Sequence, residues 1–313
     1  MSTEVPIDHV RPLYQFWRPR YWGIWLCVGL LRINVLLPYR IQMAEGRALG
    51  VLLYHLLKGR RGIAAANLAL CFPQATAEMR RQMLHEHFAS LGMTVIEHTL
   101  AWWASDHLVR QLVDLRGMDN LQRAMAGGRG VILLTGHFGA QEFSGRAFGL
   151  SCPTAAGFYR PSRNLLLDEI FKRVRKKSAP ILIPKDAVRR VVRSLRRGMP
   201  VWYASDQSYR RAQSALIPFF GEPAMTSTGL SELARLGNAA VVPLLPTRLP
   251  NGDGYRLEIL PALENFPGSN PEEDARRVNG ILEAHIRTVP EQYYWLHRRF
   301  KGRPEDYPDP YAR

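Results

Sequence analysis

Apolar positions follow three different rhythms along this chain. Between Tyr21 and Tyr39 they are nearly continuous, Tyr-Trp-Gly-Ile-Trp-Leu-Cys-Val-Gly-Leu-Leu-Arg-Ile-Asn-Val-Leu-Leu-Pro-Tyr, interrupted only by Arg32 and Asn34. That length is close to a bilayer span, with aromatic residues at both ends where headgroups would lie. From Thr76 to Trp103 the spacing becomes helical, with Met83, Phe88, Leu91, Val95, Ile96, Leu100 and Trp103 recurring every three or four residues. After residue 129 short apolar runs predict strands at Val131–Thr135, Ile181–Ile183, Pro200–Ala204, Ala239–Pro246 and Tyr255–Leu260. Helical stretches separate them: Leu166–Lys177, Ala187–Arg197, Gly229–Leu236 and Glu272–Thr288.

Alternation of this kind predicts an α/β domain, a mixed and largely parallel sheet flanked by helices. The expected organisation is a membrane-anchoring segment over 1–60, a catalytic domain over 61–304 and a polar tail over 305–313. The anchoring helix is expected either to span the bilayer or to lie in its interface. A second apolar stretch, Leu49 to Leu57, ends in Lys58-Gly-Arg-Arg61, a cationic group suited to acidic headgroups.

Charge narrows the partners. Forty-two Lys and Arg against 27 Asp and Glu leave +15, which fits nucleic acid, anionic membrane lipid or an acidic protein. No nucleic-acid motif accompanies it, and such a role would leave residues 21–39 without a purpose. Cys27, Cys71 and Cys152 are scattered, with no metal-ligand spacing, so reduced and mostly buried thiols are expected.

Candidate chemistry begins at Val131-Ile-Leu-Leu-Thr-Gly-His137, a buried strand running into a glycine turn and a histidine. Open α/β sheets place their sites at such carboxyl ends. Glu142, five residues on, falls about one turn into a following helix and is expected to reach back to the imidazole. Imidazole suits removal of an alcohol proton near neutral pH. A carboxylate on its other nitrogen fixes the tautomer. Taken alone, His-x4-Glu more often describes a capping His beside a solvated Glu.

Context favours chemistry. Gly136-His-Phe-Gly-Ala-Gln-Glu142 resembles the His-x4-Asp/Glu motif of the glycerolipid acyltransferase superfamily, and more narrowly the late (lauroyl/myristoyl) acyltransferases of lipid A biosynthesis. Further matching segments follow in order: Ala66-Asn-Leu-Ala-Leu-Cys-Phe-Pro73, His87-Phe-Ala-Ser-Leu-Gly92, Tyr159-Arg-Pro161, Trp202-Tyr-Ala-Ser-Asp-Gln207, Ile217-Pro-Phe-Phe-Gly221, Thr226-Ser-Thr-Gly229 and Pro290-Glu-Gln-Tyr-Tyr-Trp-Leu-His-Arg-Arg-Phe-Lys301. Gln141 departs from the aromatic residue usual before the Glu, and Leu182-Ile-Pro-Lys-Asp186 departs from the basic residue often preceding Lys-Asp.

The resemblance implies a glycerol-3-phosphate acyltransferase-like fold and no metal or tightly held cofactor. It implies acyl transfer from acyl carrier protein, or acyl-CoA, to the hydroxyl of a 3-hydroxyacyl chain on a phosphorylated glycolipid, at the cytoplasmic face of the inner membrane. His137 would take the hydroxyl proton. Acylation of another membrane lipid, a lysophospholipid or an aminolipid, shares the motif. Supporting residues carry open readings. Arg160 contacts acceptor phosphate or thioester oxygen, or stands beside a proline turn at the surface. Arg173 and Arg175 bind substrate, or form a solvated cationic face. Asp206 orients His137 or Arg160, or caps a turn. Thr228, opening a helix, helps hold an anion or serves as an ordinary N-cap.

Overall fold

The computed structural model describes residues 11–159, 161–177, 179, 181–184, 186–207 and 213–312. Eleven α-helices are described in these residues. They are α1 Trp22–Asn34, α2 Tyr39–Leu56, α3 Lys58–Cys71, α4 Ala77–Trp103, α5 Asp106–Leu112, α6 Met118–Met125, α7 Gln141–Ser151, α8 Leu165–Arg175, α9 Val188–Arg196, α10 Gly229–Gly237 and α11 Pro271–Thr288. The strands are β1 Val113–Arg116, β2 Gly130–Thr135, β3 Ala156–Tyr159, β4 Ile181–Pro184, β5 Pro200–Ala204, β6 Ser214–Phe219, β7 Glu222–Ser227, β8 Ala239–Arg248 and β9 Tyr255–Ile259.

Seven strands form one sheet in the order β1-β9-β8-β2-β5-β3-β4, with β6 and β7 forming a separate antiparallel hairpin. Every pairing in the large sheet is parallel except β8 with β9. The expected mixed, largely parallel sheet with flanking helices is present. Its central strand β2 is buried along its whole length, because helices cover both faces and leave no place for a polar residue. Two clusters pack on either side, one including Ile132, Leu134, Leu195 and Trp295, the other Val131, Leu133, Phe143 and Tyr255.

Local chemistry sets the helix starts. Asn164 accepts from Leu166 N and Leu167 N at the head of α8. Asn270 accepts from Glu272 N beside Pro271 at the head of α11, whose first turn is acidic. Helix α4 starts at Thr76, which accepts from Met79 N, and runs to Trp103 as its periodicity predicts.

Of the two forms expected for the amino-terminal anchor, the structure lacks the spanning helix among the described residues. Residues 21–39 do not form one long helix. Helix α1 stops at Asn34 after 13 residues, roughly 20 Å at the usual rise and short of the ~30 Å hydrocarbon core. Pro38 then heads α2, and Gln42 donates to Leu37 O at 2.7 Å across the bend. Among the described residues, no helix is long and apolar enough to cross a membrane. Helix α2 lies tightly against α4. Gly50 and Gly92 permit the approach, since a β-carbon at either would collide with the facing backbone. The carboxyl tail is docked as well: Tyr311 donates to Asn67 Oδ1 at 2.5 Å and accepts from Phe300 N at 3.0 Å.

Candidate active site

Strand β2 ends at Thr135, and Gly136 carries the chain to His137 at the carboxyl edge of the sheet. Neighbouring β5 ends at Ala204, and Ser205 N continues the pairing with Thr135 O. Asp206 therefore arrives at the height of His137. Its Oδ1 stands 2.5 Å from His137 Nδ1, and its Oδ2 accepts the His137 backbone N–H at 2.8 Å. One carboxylate thus holds both the ring and the backbone of the histidine. With Nδ1–H donated to Asp206, Nε2 is the nitrogen left able to take a proton. A β-carbon at Gly136 would stand 2.9 Å from the Phe138 ring and 3.3 Å from Asp206 Oδ2. Close approach is why glycine stands there.

The Asp206 carboxylate is 1% exposed, while the imidazole keeps 31% of its side chain open. Burial would depress the imidazole, but the Asp206 charge and hydrogen bond outweigh it and raise His137 above the ordinary 6.5. Burial would raise Asp206; the His137 ring, its backbone N–H and the Tyr293 hydroxyl overcome that and bring it to about 2. The pair holds an ionised carboxylate beside an imidazole of raised basicity.

Glu142 occupies the first turn of α7, as its spacing predicts, but its partner is not His137. Arg175 grips it with both arms of the guanidinium, Nε to Oε2 at 3.1 Å and Nη2 to Oε1. Burial would raise the Glu142 carboxyl, yet Arg175 and His98 hold it below its ordinary value. The expected carboxylate on the imidazole's other nitrogen is therefore Asp206. The reason is topological: Asp206 rides a strand hydrogen-bonded to that of His137, whereas α7 carries Glu142 to α8.

A cavity of about 190 Å³ opens over the pair, lined by His87, Thr94, His98, His137, Glu142 and Tyr294 among others. A second, of about 110 Å³, is mostly apolar, with Gly145, Phe148, Ala156, Val174, Leu182 and Trp202 in its walls. Gln141 and Glu142 line both. A chamber holding a base thus adjoins a second one, with Glu142 in the walls of both and its partner Arg175 in the wall of the second.

Comparison with known proteins bears on what such a pair of chambers handles. Residues 13–302 match the model of the bacterial lipid A biosynthesis acyltransferases. The chain belongs to that family. It is an acyltransferase. Its relatives include the lipid A biosynthesis palmitoleoyltransferase of Escherichia coli K12, 41% identical over 291 residues covering 93% of this chain and 94% of that protein. The lauroyltransferase of the same organism is 38% identical over 294 residues, covering 94% and 96%. Its myristoyltransferase is 26% identical over 301 residues, covering 95% and 93%.

The other residues singled out in the sequence scatter over this acyltransferase. Arg160 lies outside the described residues. Arg173 turns to the amino-terminal segment, donating to Arg11 O at 2.8 Å. Arg175 is in the wall of the second chamber, its guanidinium also 5.2 Å from the Phe171 ring centre. Thr228 opens α10 without a side-chain cap and lines a separate void of about 10 Å³ beside Asp274. The structure brings together His137 and Asp206, and separately Glu142 and Arg175. Arg173 and Thr228 stand apart from both pairs.

Sequence reasoning assigned no role to the segment 291–294. Gly139 N donates to Gln292 O at 2.8 Å, Tyr294 N donates to His137 O at 2.9 Å, and Phe138 bridges Tyr293. Beneath this clamp lies a buried ion pair, Arg248 Nε to Glu97 Oε1 at 2.5 Å and Nη2 to Oε2 at 2.9 Å. Gln292 is tied to the Arg248 backbone in both directions. His87, on the cavity wall, donates from Nδ1 to Glu291 O at 3.2 Å, and burial lowers it to about 4, so it stays neutral. For His87 and residues 291–294 the only signal was that their segments share the family resemblance, and Glu97 and Arg248 lie in none of those segments.

Proposed function

We propose that the protein moves a fatty acyl group from acyl carrier protein to the hydroxyl of a 3-hydroxyacyl chain on a phosphorylated lipid A precursor. The observation carrying this reading is the His137–Asp206 pair facing a chamber that adjoins an apolar pocket, in a chain of this family. The acceptor hydroxyl lies in the chamber over His137 and gives its proton to His137 Nε2 as its oxygen attacks the thioester carbonyl carbon. Asp206 stabilises the imidazolium so formed. The tetrahedral intermediate collapses by breaking the C–S bond, and the proton passes from Nε2 to the departing thiolate. The products are the ester and the free carrier thiol, and side chains and thioester together carry the chemistry without a cofactor.

The acyl chain occupies the apolar pocket, and the Glu142–Arg175 pair marks the passage to it. Gly145 supports this assignment, because a β-carbon there meets open space. The protein works at the inner membrane, lying on its cytoplasmic face. Leu26, Leu30 and Ile33 form an exposed stripe on α1, continued by Leu36, Ile41, Leu52 and Leu56 and by Trp17 and Trp22. Arg18, Arg20, Arg40, Lys58 and Arg60 are exposed among them, where anionic headgroups would meet them.

Purified protein given a tetra-acylated lipid A precursor with acyl carrier proteins of graded chain length, or with acyl-CoA, tests the reading by mass spectrometry. A single added acyl ester from the carrier, absent with His137→Ala, is the expected result. Acylation of a lysophospholipid but not of the precursor would overturn the acceptor, and equal use of acyl-CoA would overturn the donor.

A further inference from the structure

The chamber over the base has a further histidine in its wall that the reaction leaves unused. His87 lies on α4, on the face that also brings Ser90, Thr94 and His98 to the chamber at helical spacing. That face stands directly against the 137–139 loop, since a β-carbon at Gly139 would be 2.6 Å from Thr94 Oγ1. The segment 291–294 joins His87 to His137: Glu291 O accepts from His87 Nδ1 at 3.2 Å, and Tyr294 N donates to His137 O at 2.9 Å.

A carbonyl oxygen can only accept, so the His87 hydrogen is on Nδ1 and Nε2 presents a lone pair. His87 is 3% exposed, and its Nε2 has no hydrogen-bond partner among the described residues. Among those residues, no other side chain of the chamber wall holds a buried polar atom without a partner. A buried acceptor without a donor is costly. In the wall of a substrate chamber, a ligand can supply the donor. Burial also lowers this imidazole to about 4, so it accepts a hydrogen bond near neutral pH without becoming charged.

The reacting hydroxyl is not that donor, because its single hydrogen is directed at His137 Nε2. Both reactants offer another, a secondary amide N–H close to the reacting atoms. The carrier's thiol arm has one near its sulfur. A 3-hydroxyacyl chain joined to its sugar through nitrogen has one near its hydroxyl. We propose that His87 Nε2 accepts a hydrogen bond from such an amide N–H, making His87 a specificity-determining residue that holds the reactant in register with His137. The inference rests on the acyl transfer proposed above.

The test uses the full-length detergent-solubilised protein and two replaced substrates. In one, the reacting 3-hydroxyacyl chain of the precursor is joined through an ester oxygen instead of the amide nitrogen. In the other, the same change is made in the carrier's arm next to the thioester. Wild type should lose about tenfold in kcat/KM on one of the two replacements, and that replacement names the source of the amide. His87→Asn keeps a donor for Glu291 O but has no acceptor where Nε2 stands. It should lose about tenfold on the natural pair and nothing further on the replacement that wild type rejects. His87→Gln carries an amide oxygen to about the Nε2 position and should restore the preference.

Indifference of wild type to both replacements overturns the assignment. So does a wild-type preference kept intact in His87→Asn, the result a merely structural histidine would give. Should His87→Asn fail to fold, nitrogen-15 NMR of histidine-labelled wild type decides, with His87 assigned through His87→Gln. The reactant that wild type prefers, added alone, should move the Nε2 resonance upfield, and an unmoved resonance overturns the hydrogen bond. No transfer to the precursor in either form would defeat the acyl-transfer reading itself, whereas transfer without preference defeats only the role of His87.

Discussion

The chamber around His137 and the outer face of α1 and α2 obey opposite rules of burial. At the chamber charges are inside: Asp206, Glu97 and Arg248 are almost wholly enclosed, each with a partner of opposite charge or several donors. On the outer face the apolar side chains are outside, Leu26, Leu30 and Ile33 each 60–65% exposed. Buried charge has a desolvation cost that only specific partners offset. Exposed apolar surface has a hydration cost that only an apolar phase offsets. The first rule produces a site in which every atom is placed. The second produces a surface that places the whole molecule and no atom in particular. Their separation predicts that each can be broken while the other survives.

The largest expected effect falls on the chamber. His137→Ala should lower turnover by about 10²–10⁴-fold, the share a general base commonly supplies, while the fraction floating with anionic vesicles is unchanged. Loss of vesicle binding together with turnover would mean that the two regions are not independent. Next comes Asp206→Asn. It should lower kcat about 100-fold and also move the rising limb of the pH profile. Asp206 is what raises His137, so without it burial prevails and the midpoint should fall below 6.5. A midpoint that stays put would show that the carboxylate is not felt by the base. Glu142→Gln, which breaks the Arg175 pair instead, should leave the midpoint in place.

The outer face should respond to smaller energies. Leu26→Asp and Leu30→Asp each remove roughly 2 kcal/mol of apolar transfer, so each should reduce vesicle partition by at least about tenfold. Turnover on acceptor dispersed in detergent, and the thermal midpoint, should hardly change. Smallest is Gly145→Leu, which fills the apolar pocket and leaves the His137–Asp206 pair in place. It should shift preference toward shorter acyl chains by about tenfold in kcat/KM ratio, measured with carriers of graded length. Unchanged preference would place the acyl chain elsewhere.

Much of this was legible in the residues. The strand Val131–Thr135, its glycine turn and His137 follow from an apolar run ending in a polar break, and the flanking helices follow from their period. What stayed hidden needed tertiary information. Asp206 lies 69 positions from His137, and the sequence left its partner open between His137, Arg160 and a turn; only the β2–β5 register decides it. Glu142 has the spacing to reach back, yet packing of α7 near α8 gives it Arg175. The strands β1 and β3 are four residues each, too short for a period to show. The break at Asn34 was masked because the apolar run continues through it to Leu37.

The clamp of residues 291–294 on the 137–139 loop has a consequence for when the protein becomes active. A ribosome delivers the base first and Asp206 some seventy residues later, and the segment that fastens the base emerges later still, at residues 291–294. Until it docks, His137 lacks the hydrogen bond from Tyr294 N, and Gly139 has no acceptor at Gln292. Order of assembly, settled by where the fastening residues fall in the chain, delays the closing of the site until residues 291–294 have been made.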